Sequence, residues 1–373
     1  MNETEKIIDS CNDCGACVRN CEFLSYYCES PRELAKRFKK NPLENIELLY
    51  SCSLCGLCKR VCKLDLSPGD MCLETRRRIF SPSRGSALPE DFVFDFVVPK
   101  LNGLRGHQFF SSSPFFTLSK GPDTVKGINP KTVFFPGCSL PAYSPELVIK
   151  SYKYLRKKIP GTGIVLNCCG KPSNDMGDSE KFRKIFTDTV NTFSRMGVEE
   201  VIVGCINCHK VFRENSDLKL RTLYEVMLEK GLPKTPSGKG RVVSVHDSCP
   251  ARYRPEIRNS VRTILSELGF RVEEMQFRGE VTRCCGAGGC APTGNTALSD
   301  RHTRKRVSQA KGLLVTYCAH CRERFSAYTP SLHVLDFIFS KPDRKHISEY
   351  HDSLINWINR WYLKKRLQLT RQR

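Results

Sequence analysis

Residues 201–212 read VIVGCINCHKVF and residues 313–325 read LLVTYCAHCRERF, so each stretch leads from an apolar run into a Cys-x2-Cys pair. Upstream of each pair the same cysteines recur in the same order, first a single cysteine and then a Cys-Cys-Gly triplet. Corresponding cysteines lie 111 to 116 residues apart. Five cysteines repeated in one order at nearly one spacing indicate a duplicated domain. The first copy contains Cys138, Cys168, Cys169, Cys205 and Cys208, and the second contains Cys249, Cys284, Cys285, Cys318 and Cys321.

The segments between these cysteines alternate short apolar runs with longer amphipathic stretches. Short apolar runs favour buried strands, and apolar residues at helical spacing favour helices packed on a sheet. This alternation predicts α/β units with largely parallel sheets. The predicted strands are 132–135, 163–166, 200–203, 241–245, 271–275 and 313–316, and the predicted helices are 145–157, 180–196, 217–230, 255–268 and 299–311.

A second cysteine pattern occupies the N-terminal part of the chain. The run Cys-x2-Cys-x2-Cys-x3-Cys occurs twice, and in two-cluster ferredoxins the fourth cysteine of each such run ligates the other cluster. Structural zinc sites favour two separate Cys-x2-Cys pairs instead. We therefore predict two cubane [4Fe–4S] clusters, with Gly15 and Gly56 where the backbone passes close to them. One cluster is predicted on Cys11, Cys14, Cys17 and Cys62, and the other on Cys52, Cys55, Cys58 and Cys21.

Composition narrows the class of protein. The chain of 373 residues has 21 cysteines, and a secreted disulfide scaffold would be short and loop-rich, so metal ligands in a cytoplasmic protein are favoured. No apolar run approaches the ~18 residues of a membrane span, and the N-terminal stretch lacks the apolar core of a secretion signal. The net charge of +21 is compatible with an anionic partner or with a basic, soluble surface. Cluster-bound thiolates offset part of this charge, and we expect no nucleic-acid partner.

The motifs FFPGC (134–138), NCCG (167–170), HDSC (246–249) and RCCGAGG (283–289) resemble those of the CCG-domain iron–sulfur family. A ferredoxin domain fused to two CCG domains is similar to the catalytic subunit of membrane-bound heterodisulfide reductase. The resemblance implies a multi-domain α+β protein with an N-terminal α-helical ferredoxin domain followed by two duplicated α/β CCG domains. The predicted parts are the ferredoxin domain at 1–80, a linker at 81–131, CCG domains at 132–235 and 236–340, and a basic amphipathic C-terminal helix at 341–373.

The resemblance also implies cofactors and a function. In heterodisulfide reductases each complete five-cysteine motif binds a noncubane [4Fe–4S] cluster, and both motifs are complete here, with Gly170 and Gly286 letting the backbone approach the cluster. The implied activity is cleavage of a small anionic disulfide, the coenzyme M–coenzyme B heterodisulfide, with electrons from a membrane cytochrome b or a flavin or iron–sulfur protein. The alternative is a non-catalytic electron-transfer subunit that connects a flavin dehydrogenase, of the glycerol-3-phosphate, lactate or glycolate type, with quinone or a cytochrome.

For several side chains next to the motifs, the sequence leaves two interpretations open. A histidine near a ligand cysteine is either a proton donor for disulfide reduction or a hydrogen-bond partner of a ligand sulfur or a carbonyl. His246 is the candidate catalytic residue among the three, the others being His209 and His320. Basic residues either line an anion pocket or lie on exposed loops, and these are Lys171, Arg252, Arg254, Arg283 and Arg322. The cysteines left over, Cys28, Cys72 and Cys290, are predicted to pack in the core.

The C-terminal segment 341–373 is basic and carries an apolar stripe at helical spacing. The stripe either packs on the CCG domains or docks on an anionic membrane surface or a membrane-embedded partner. We expect docking, with peripheral contact on the cytoplasmic face of a membrane. The stripe consists of Ile347, Tyr350, Leu354, Ile358 and Trp361.

Overall fold

The computed structural model describes residues 2–80, 106–121, 129–233, 238–339 and 353–369. The chain forms two compact units, and each is assembled from three stretches of sequence. Among the described residues, no helix is both long and apolar enough to cross a membrane. The first unit comprises Met1–His107, Pro172–Arg183 and Phe277–Ser308, and the second comprises Gln108–Lys171, Lys184–Gln276 and Gln309–Arg373.

Residues 2–80 form seven helices and no strand, and helices and short strands follow one another from residue 118 onward, in line with the alternation predicted from residue 132. The helices are α1 (Glu3–Ser10), α2 (Ala16–Asn20), α3 (Glu22–Tyr27), α4 (Pro31–Lys40), α5 (Ile46–Ser51), α6 (Leu57–Val61), α7 (Pro68–Phe80), α8 (Ser139–Tyr143), α9 (Pro145–Lys158), α10 (Lys171–Met176), α11 (Ser179–Arg195), α12 (Ile206–Asn215), α13 (Leu223–Lys230), α14 (Pro255–Glu267), α15 (Ala291–Gly294), α16 (Thr296–Val307), α17 (Ala319–Ser326), α18 (Val334–Phe339) and α19 (Ser353–Leu369). The strands are β1 (Leu118–Lys120), β2 (Thr132–Phe135), β3 (Gly163–Leu166), β4 (Glu200–Val203), β5 (Lys219–Thr222), β6 (Val242–His246), β7 (Arg271–Val272), β8 (Leu313–Thr316) and β9 (Ser331–His333).

One buried side chain joins the three stretches of the first unit. The guanidinium of Arg76, on α7, is fully buried and donates to the carbonyls of Leu49, within α5, and Cys52, directly after it, at 2.7–3.2 Å. It also donates to the carbonyls of Asp175 at 2.7 Å and Gly289 at 2.6 Å, which belong to the two later stretches. The first unit is therefore closed by groups that are far apart in sequence.

The second unit contains two sheets. The first has the strand order β1-β3-β2-β4-β5, with β1 antiparallel to β3 and the other pairs parallel. The second has the order β7-β6-β8-β9 and is parallel throughout. Phe134 and Ile202 of the first sheet and Val245 and Val315 of the second lie in one hydrophobic cluster. The duplicated halves of the sequence therefore share a core.

The predicted helix at 217–230 is wrong in its first half, where residues 219–222 form β5. This strand pairs in parallel with β4, and Lys219 and Arg221 both reach the carboxylate of Glu200, at 3.3 Å and 2.7 Å. Helix α13 starts only after Thr222, whose side chain accepts from the backbone N–H of Glu225 in a capping box. Pairing with β4 thus decides the conformation of a segment whose own pattern fits a helix.

Several short elements were not predicted from the sequence, among them β1, β9 and α18. Strand β1 lies inside the predicted linker 81–131 and pairs with β3, while β9 pairs with β8 and leads directly into α18. Three residues are too few to give a strand periodicity, so only pairing reveals β1 and β9. Residues 81–105 and 122–128 of the predicted linker lie outside the described residues, as do Ile347 and Tyr350 of the predicted C-terminal stripe.

The C-terminal helix α19 packs against α8 and α9. Its buried apolar residues are Leu363 and Leu367. The described members of the predicted stripe face solvent instead, with exposed fractions of 68% for Leu354, 52% for Ile358 and 45% for Trp361. Packing on the chain's own domains therefore does not account for these three members of the stripe.

Candidate iron–sulfur sites

Two cavities of the first unit are each bordered by four cysteines. Each combines the first three cysteines of one N-terminal run with the fourth cysteine of the other run. Gly15 and Gly56 line them and start short helices with φ of 69° and 73°, a conformation that glycine adopts without strain. One cavity is lined by Cys11, Cys14, Cys17 and Cys62, and the other by Cys21, Cys52, Cys55 and Cys58.

The thiols around these cavities lie in an apolar environment. Burial, followed by the nearby Cys11 and Cys62, raises the pKa of Cys17 to about 11. Burial raises the pKa of Cys21 to about 12. Such thiols stay protonated at neutral pH unless a metal displaces the proton. Four sulfur donors around a largely apolar cavity fit the ligand set of an iron–sulfur cluster.

Cys72 and Arg76, both on α7, contact the second of these sites. A hydrogen bond from Cys72 lowers the pKa of Cys52 in spite of its burial, and Arg76 adds a positive charge nearby. Cys72 is fully buried, as predicted, but it also contacts a candidate ligand, which its position in the sequence does not indicate. Cys28 and Cys290 lie in the core of the first unit, as predicted.

The first CCG set is assembled by strand topology. Strands β3, β2 and β4 are adjacent and parallel, so their carboxyl ends lie at one edge of the sheet. Cys138, Cys168 and Cys205 each follow one of these strands within three residues. Loops at the carboxyl ends of parallel strands are where open α/β sheets bind ligands. The fold therefore brings these cysteines to one place.

The five thiols of this set form a connected network, and all are at most 8% exposed. The sulfur of Cys168 lies 4.0 Å from that of Cys138, and this hydrogen bond, with burial, raises the pKa of Cys138. Cys169 contacts both Cys168 and Cys208, and Cys208 in turn contacts Cys205. Hydrogen bonds with the neighbouring thiols raise the pKa of Cys208. Five converging sulfur donors without a disulfide fit a metal cluster better than a core packing role.

The backbone around this set has no room for side chains. The N–H of Gly170 donates to the sulfur of Cys168 at 3.5 Å, with φ at 81°. A Cβ on Gly137 would lie 2.9 Å from the sulfur of Cys208 and 3.1 Å from Cβ of Cys205. Gly137 precedes Cys138 in the FFPGC motif, and its tight environment was not predicted.

Two polar side chains also contact this set, and neither was predicted from the sequence. The amide of Gln108 donates to the sulfur of Cys168 at 3.1 Å. Arg360 of α19 is 5% exposed and its Nε donates to the carbonyl of Cys138 at 3.0 Å. Gln108 lies in the predicted linker and Arg360 in the predicted tail, where no motif marks them.

The second CCG set is divided between the units. In the second unit Cys249 and Cys318 follow the adjacent parallel strands β6 and β8, and a hydrogen bond from Cys321 lowers the pKa of Cys318. Cys284 and Cys285 belong to the first unit. There the N–H of Gly286, with φ at 93°, donates to the sulfur of Cys284 at 3.4 Å, the same contact that Gly170 makes in the first copy. The local geometry of the Cys-Cys-Gly triplet is thus duplicated.

The three candidate histidines differ in their surroundings. His246 ends β6, is fully buried, and packs its ring 4.8 Å from that of Phe325. Burial, then the positive charge of Arg254, lowers the pKa of His209 to about 4, so this side chain is neutral at pH 7. His320 is exposed. His246 therefore has no direct contact with bulk solvent in this structure.

The basic residues next to the motifs do not all lie on exposed loops. Arg322 is fully buried, donates to the carbonyl of Ser331 at 3.2 Å and stacks 4.5 Å from the ring centre of Tyr143. Arg252 is 2% exposed. The exposed-loop interpretation is wrong for these two residues, while Lys171, Arg254 and Arg283 are partly exposed.

Comparison with known proteins identifies the domains. Residues 10–67 match a 4Fe-4S dicluster domain, and residues 132–213 and 243–326 match the cysteine-rich CCG domain. The chain is 23% identical over 376 residues to one of the subunits of the dihydromethanophenazine:CoB–CoM heterodisulfide reductase of Methanosarcina mazei, covering 88% of this chain and 90% of that protein.

Two further relatives carry other names. A subunit of the fumarate reductase (CoM/CoB) of Methanothermobacter marburgensis is 23% identical over 350 residues, covering 85% of this chain and 67% of that protein. An EtfAB:quinone oxidoreductase of Syntrophomonas wolfei is 24% identical over 174 residues, covering 41% of this chain and 24% of that protein. Relatives of this chain thus include named subunits of redox complexes.

Proposed function

Because the chain belongs to the CCG-domain iron–sulfur family, with a dicluster ferredoxin domain ahead of two CCG domains, we propose that it is a disulfide-reducing iron–sulfur subunit of the heterodisulfide reductase type. The observation that carries the proposal is the network of five buried thiols at the carboxyl ends of β3, β2 and β4. A chain that only relays electrons needs its cubane sites but has no need for an additional set of five cysteines. The substrate class is a small anionic disulfide, with the coenzyme M–coenzyme B heterodisulfide as the first candidate.

The proposed cofactors are two cubane and two noncubane [4Fe–4S] clusters. The cubane ligands are the two sets of four cysteines that line the cavities of the first unit. The noncubane ligands are the two sets of five, of which the first is supported by its thiol network and the second by the matching Cys-Cys-Gly geometry. Intact protein is then expected to contain roughly 16 iron atoms per chain, counting four for each of four clusters.

The chain's own residues have three tasks in this mechanism. Gly137 and Gly170 keep side chains away from the sulfurs, and Gln108 and Arg360 fix Cys168 and Cys138 by hydrogen bonds. A noncubane cluster held by this set would supply the electrons for cleavage. Reduction of one disulfide takes up two electrons and two protons and releases two thiols, and His246 is the proposed residue that delivers a proton.

The deciding experiment is an assay of the anaerobically purified, fully loaded chain with reduced viologen as electron donor and the heterodisulfide as acceptor. We expect two viologens oxidised for each disulfide cleaved, and loss of this activity in Cys208→Ser. Cys28→Ser, which removes a buried thiol that borders neither cavity, is the matched control. A preparation with full iron content and no turnover would contradict catalysis by this chain.

The second candidate is an electron-transfer subunit without disulfide chemistry. The similarity to an EtfAB:quinone oxidoreductase favours it, since that protein is named for electron transfer from a flavoprotein to quinone. The two functions differ in a direct test, because a relay exchanges electrons with a flavoprotein or a quinone analogue but leaves the disulfide intact. In either case the proposed partner is a redox protein, a membrane cytochrome b or a flavin or iron–sulfur protein.

A further inference from the structure

Exposed apolar side chains are concentrated on two segments of the second unit. Thirteen large hydrophobic residues of the described chain are exposed, and nine of them lie between 109 and 115 or between 354 and 369. A single exposed hydrophobic residue needs no explanation, whereas a contiguous group marks an interaction surface. Both segments fall outside the cysteine motifs and outside the sheets.

The two segments contact each other through aromatic rings. The ring of Trp357 lies 5.4 Å from that of Phe110 and 6.3 Å from that of Phe115, and Phe109 lies 5.4 Å from Phe110. Ile358 and Trp361 continue the surface along α19. We call this surface the aromatic face, and it consists of Phe109, Phe110, Phe115, Trp357, Ile358 and Trp361.

The opposite side of α19 fixes the aromatic face to the domain. Leu363 and Leu367 are buried, and Asn359 donates to the carbonyl of Ala142 at 2.8 Å. Arg360 donates to the carbonyl of Cys138 and stacks 4.1 Å from the ring centre of Trp357. The exposed residues of α19 therefore belong to a helix that is held in place by its opposite side.

Charge decides which partner fits this face. Apart from the buried Arg360, helix α19 carries Lys364, Lys365 and Arg366, of which the last two are exposed, and it has no Asp or Glu. Two copies of the chain would bring these positive charges together, so self-association is disfavoured. Tryptophan and phenylalanine beside lysine and arginine are the composition that binds the interface of an anionic bilayer.

We propose that the aromatic face binds directly to the anionic surface of a phospholipid membrane. This goes beyond attachment through a redox partner and does not depend on the proposed chemistry, so either can fail without the other. Docking in this way places the first CCG set close behind the lipid, because α19 contacts Cys138 with its other side and a helix is about 10 Å thick. The binding should weaken with salt, since part of it is electrostatic.

The test is flotation of the loaded full-length protein with vesicles. We expect binding to vesicles that contain phosphatidylglycerol, weaker binding to pure phosphatidylcholine, and partial release by salt. Ile358→Ser and Trp361→Ser are each expected to weaken the binding about tenfold, because each removes one large apolar side chain from the contact. Tyr26→Ser, which changes a comparably exposed aromatic residue of the first unit, should bind like the unchanged protein.

The replaced side chains are exposed, so iron content and helical content should be unchanged in both variants. If a variant does lose iron, Phe109→Ser, at the most exposed aromatic position of the face, replaces it in the same assay. Absence of vesicle binding by the unchanged protein would overturn the proposal, as would equal binding by all variants. Sedimentation that shows a dimer which Trp361→Ser dissociates would assign the face to a second copy instead.

Discussion

The cysteine sites of the two units differ in how far the protein encloses them. In the first unit Cys14 is exposed and Cys21, Cys55 and Cys62 are half-buried, so both cavities open toward the surface. In the second unit all five cysteines of the first CCG set are at most 8% exposed. Open sites suit electron exchange with a partner, whereas an enclosed site suits chemistry that must be kept from water. The difference in burial fits the proposed division of tasks, with electron entry in the first unit and disulfide cleavage at the first CCG set.

A buried arginine accompanies each kind of site, and no carboxylate pairs with either within the described part of the chain. Arg76 donates to the carbonyl of Cys52 at 2.9 Å and Arg360 to that of Cys138 at 3.0 Å. An unpaired buried cation is costly, and bound thiolates would balance it. The two arginines differ in how much they hold together, because Arg76 binds four carbonyls from three stretches of the chain, whereas Arg360 joins α19 to the carbonyl of Cys138.

The largest effect is expected from Arg76→Leu. Four carbonyls lose their donor at once, and each buried carbonyl left without a donor costs ~1–3 kcal/mol. We therefore expect the first unit to lose more than about 4 kcal/mol of stability, together with its two proposed cubane clusters. Arg360→Leu frees one carbonyl and should cost ~1–3 kcal/mol. Iron analysis and thermal unfolding measure both. Arg77→Leu, an exposed neighbour on α7, should change stability by less than about 0.5 kcal/mol, and equal losses in Arg76→Leu and Arg77→Leu would refute the role of Arg76.

A smaller and more local effect is expected from Gly137→Ala. The new Cβ would lie 2.9 Å from the sulfur of Cys208, and φ at 74° adds backbone strain. We expect loss of only the noncubane cluster proposed for the first CCG set, a fall of about four iron atoms. Gly240→Ala is the matched control, since φ is 73° and no atom lies within 4 Å, so it adds strain of ~1–2 kcal/mol without a clash. Full iron content in Gly137→Ala would show that this glycine does not border the cluster.

Within the first unit, Cys21→Ser tests which cubane site each fourth cysteine serves. Because Cys21 lines the cavity of Cys52, Cys55 and Cys58, we expect the EPR signal of that cluster to change while the other signal persists. Cys28→Ser should leave both signals as they are. A change confined to the cluster of Cys11, Cys14 and Cys17 would mean that each run keeps its own fourth cysteine.

The smallest effect concerns acid stability of the second unit. Burial, then Arg322, lowers the pKa of His333 to about 3, whereas the unfolded side chain titrates near 6.5. Below pH 6.5 the unfolded state takes up a proton on His333 that the folded state excludes. The free energy of unfolding that the neutral side chain contributes is therefore fully present above pH 6.5 and falls as the pH drops toward 3. The loss should reach about 2 kcal/mol by about pH 5. Urea unfolding followed by tryptophan fluorescence reports this unit, since it contains both Trp357 and Trp361, and His333→Gln should flatten the pH dependence.

Much of the fold and of the candidate cluster sites could be predicted from the sequence, because these features depend on local sequence. The cysteine runs, the Cys-Cys-Gly turns and the strands that precede them are each set by a few neighbouring residues, and the 4Fe-4S dicluster and CCG domains match where these motifs lie. Contacts across long separations could not be predicted. Arg360 and Cys138 are 222 residues apart, and Arg76 and Gly289 are 213 apart, so neither arginine carries any sign of its partner.

The segment 217–230 shows the same limit at the level of secondary structure. Its residues fit a helix by composition, but Lys219 and Arg221 meet the buried Glu200 only when the first part is a strand beside β4. Pairing with the neighbouring strand β4, together with the contacts to Glu200, thus overrides local preference.

The closure of the first unit by Arg76 bears on how the protein is made. Until the ribosome has added residue 289, the guanidinium lacks one of its carbonyl acceptors, and the surface of α5 that α15 covers stays open. Such a nascent intermediate exposes apolar surface for most of the time of synthesis and is prone to aggregation. We therefore expect that a fragment of residues 1–80 does not reproduce the stability of the complete first unit. We also expect cluster loading to be completed only after translation, when the last stretch of the unit has been synthesised.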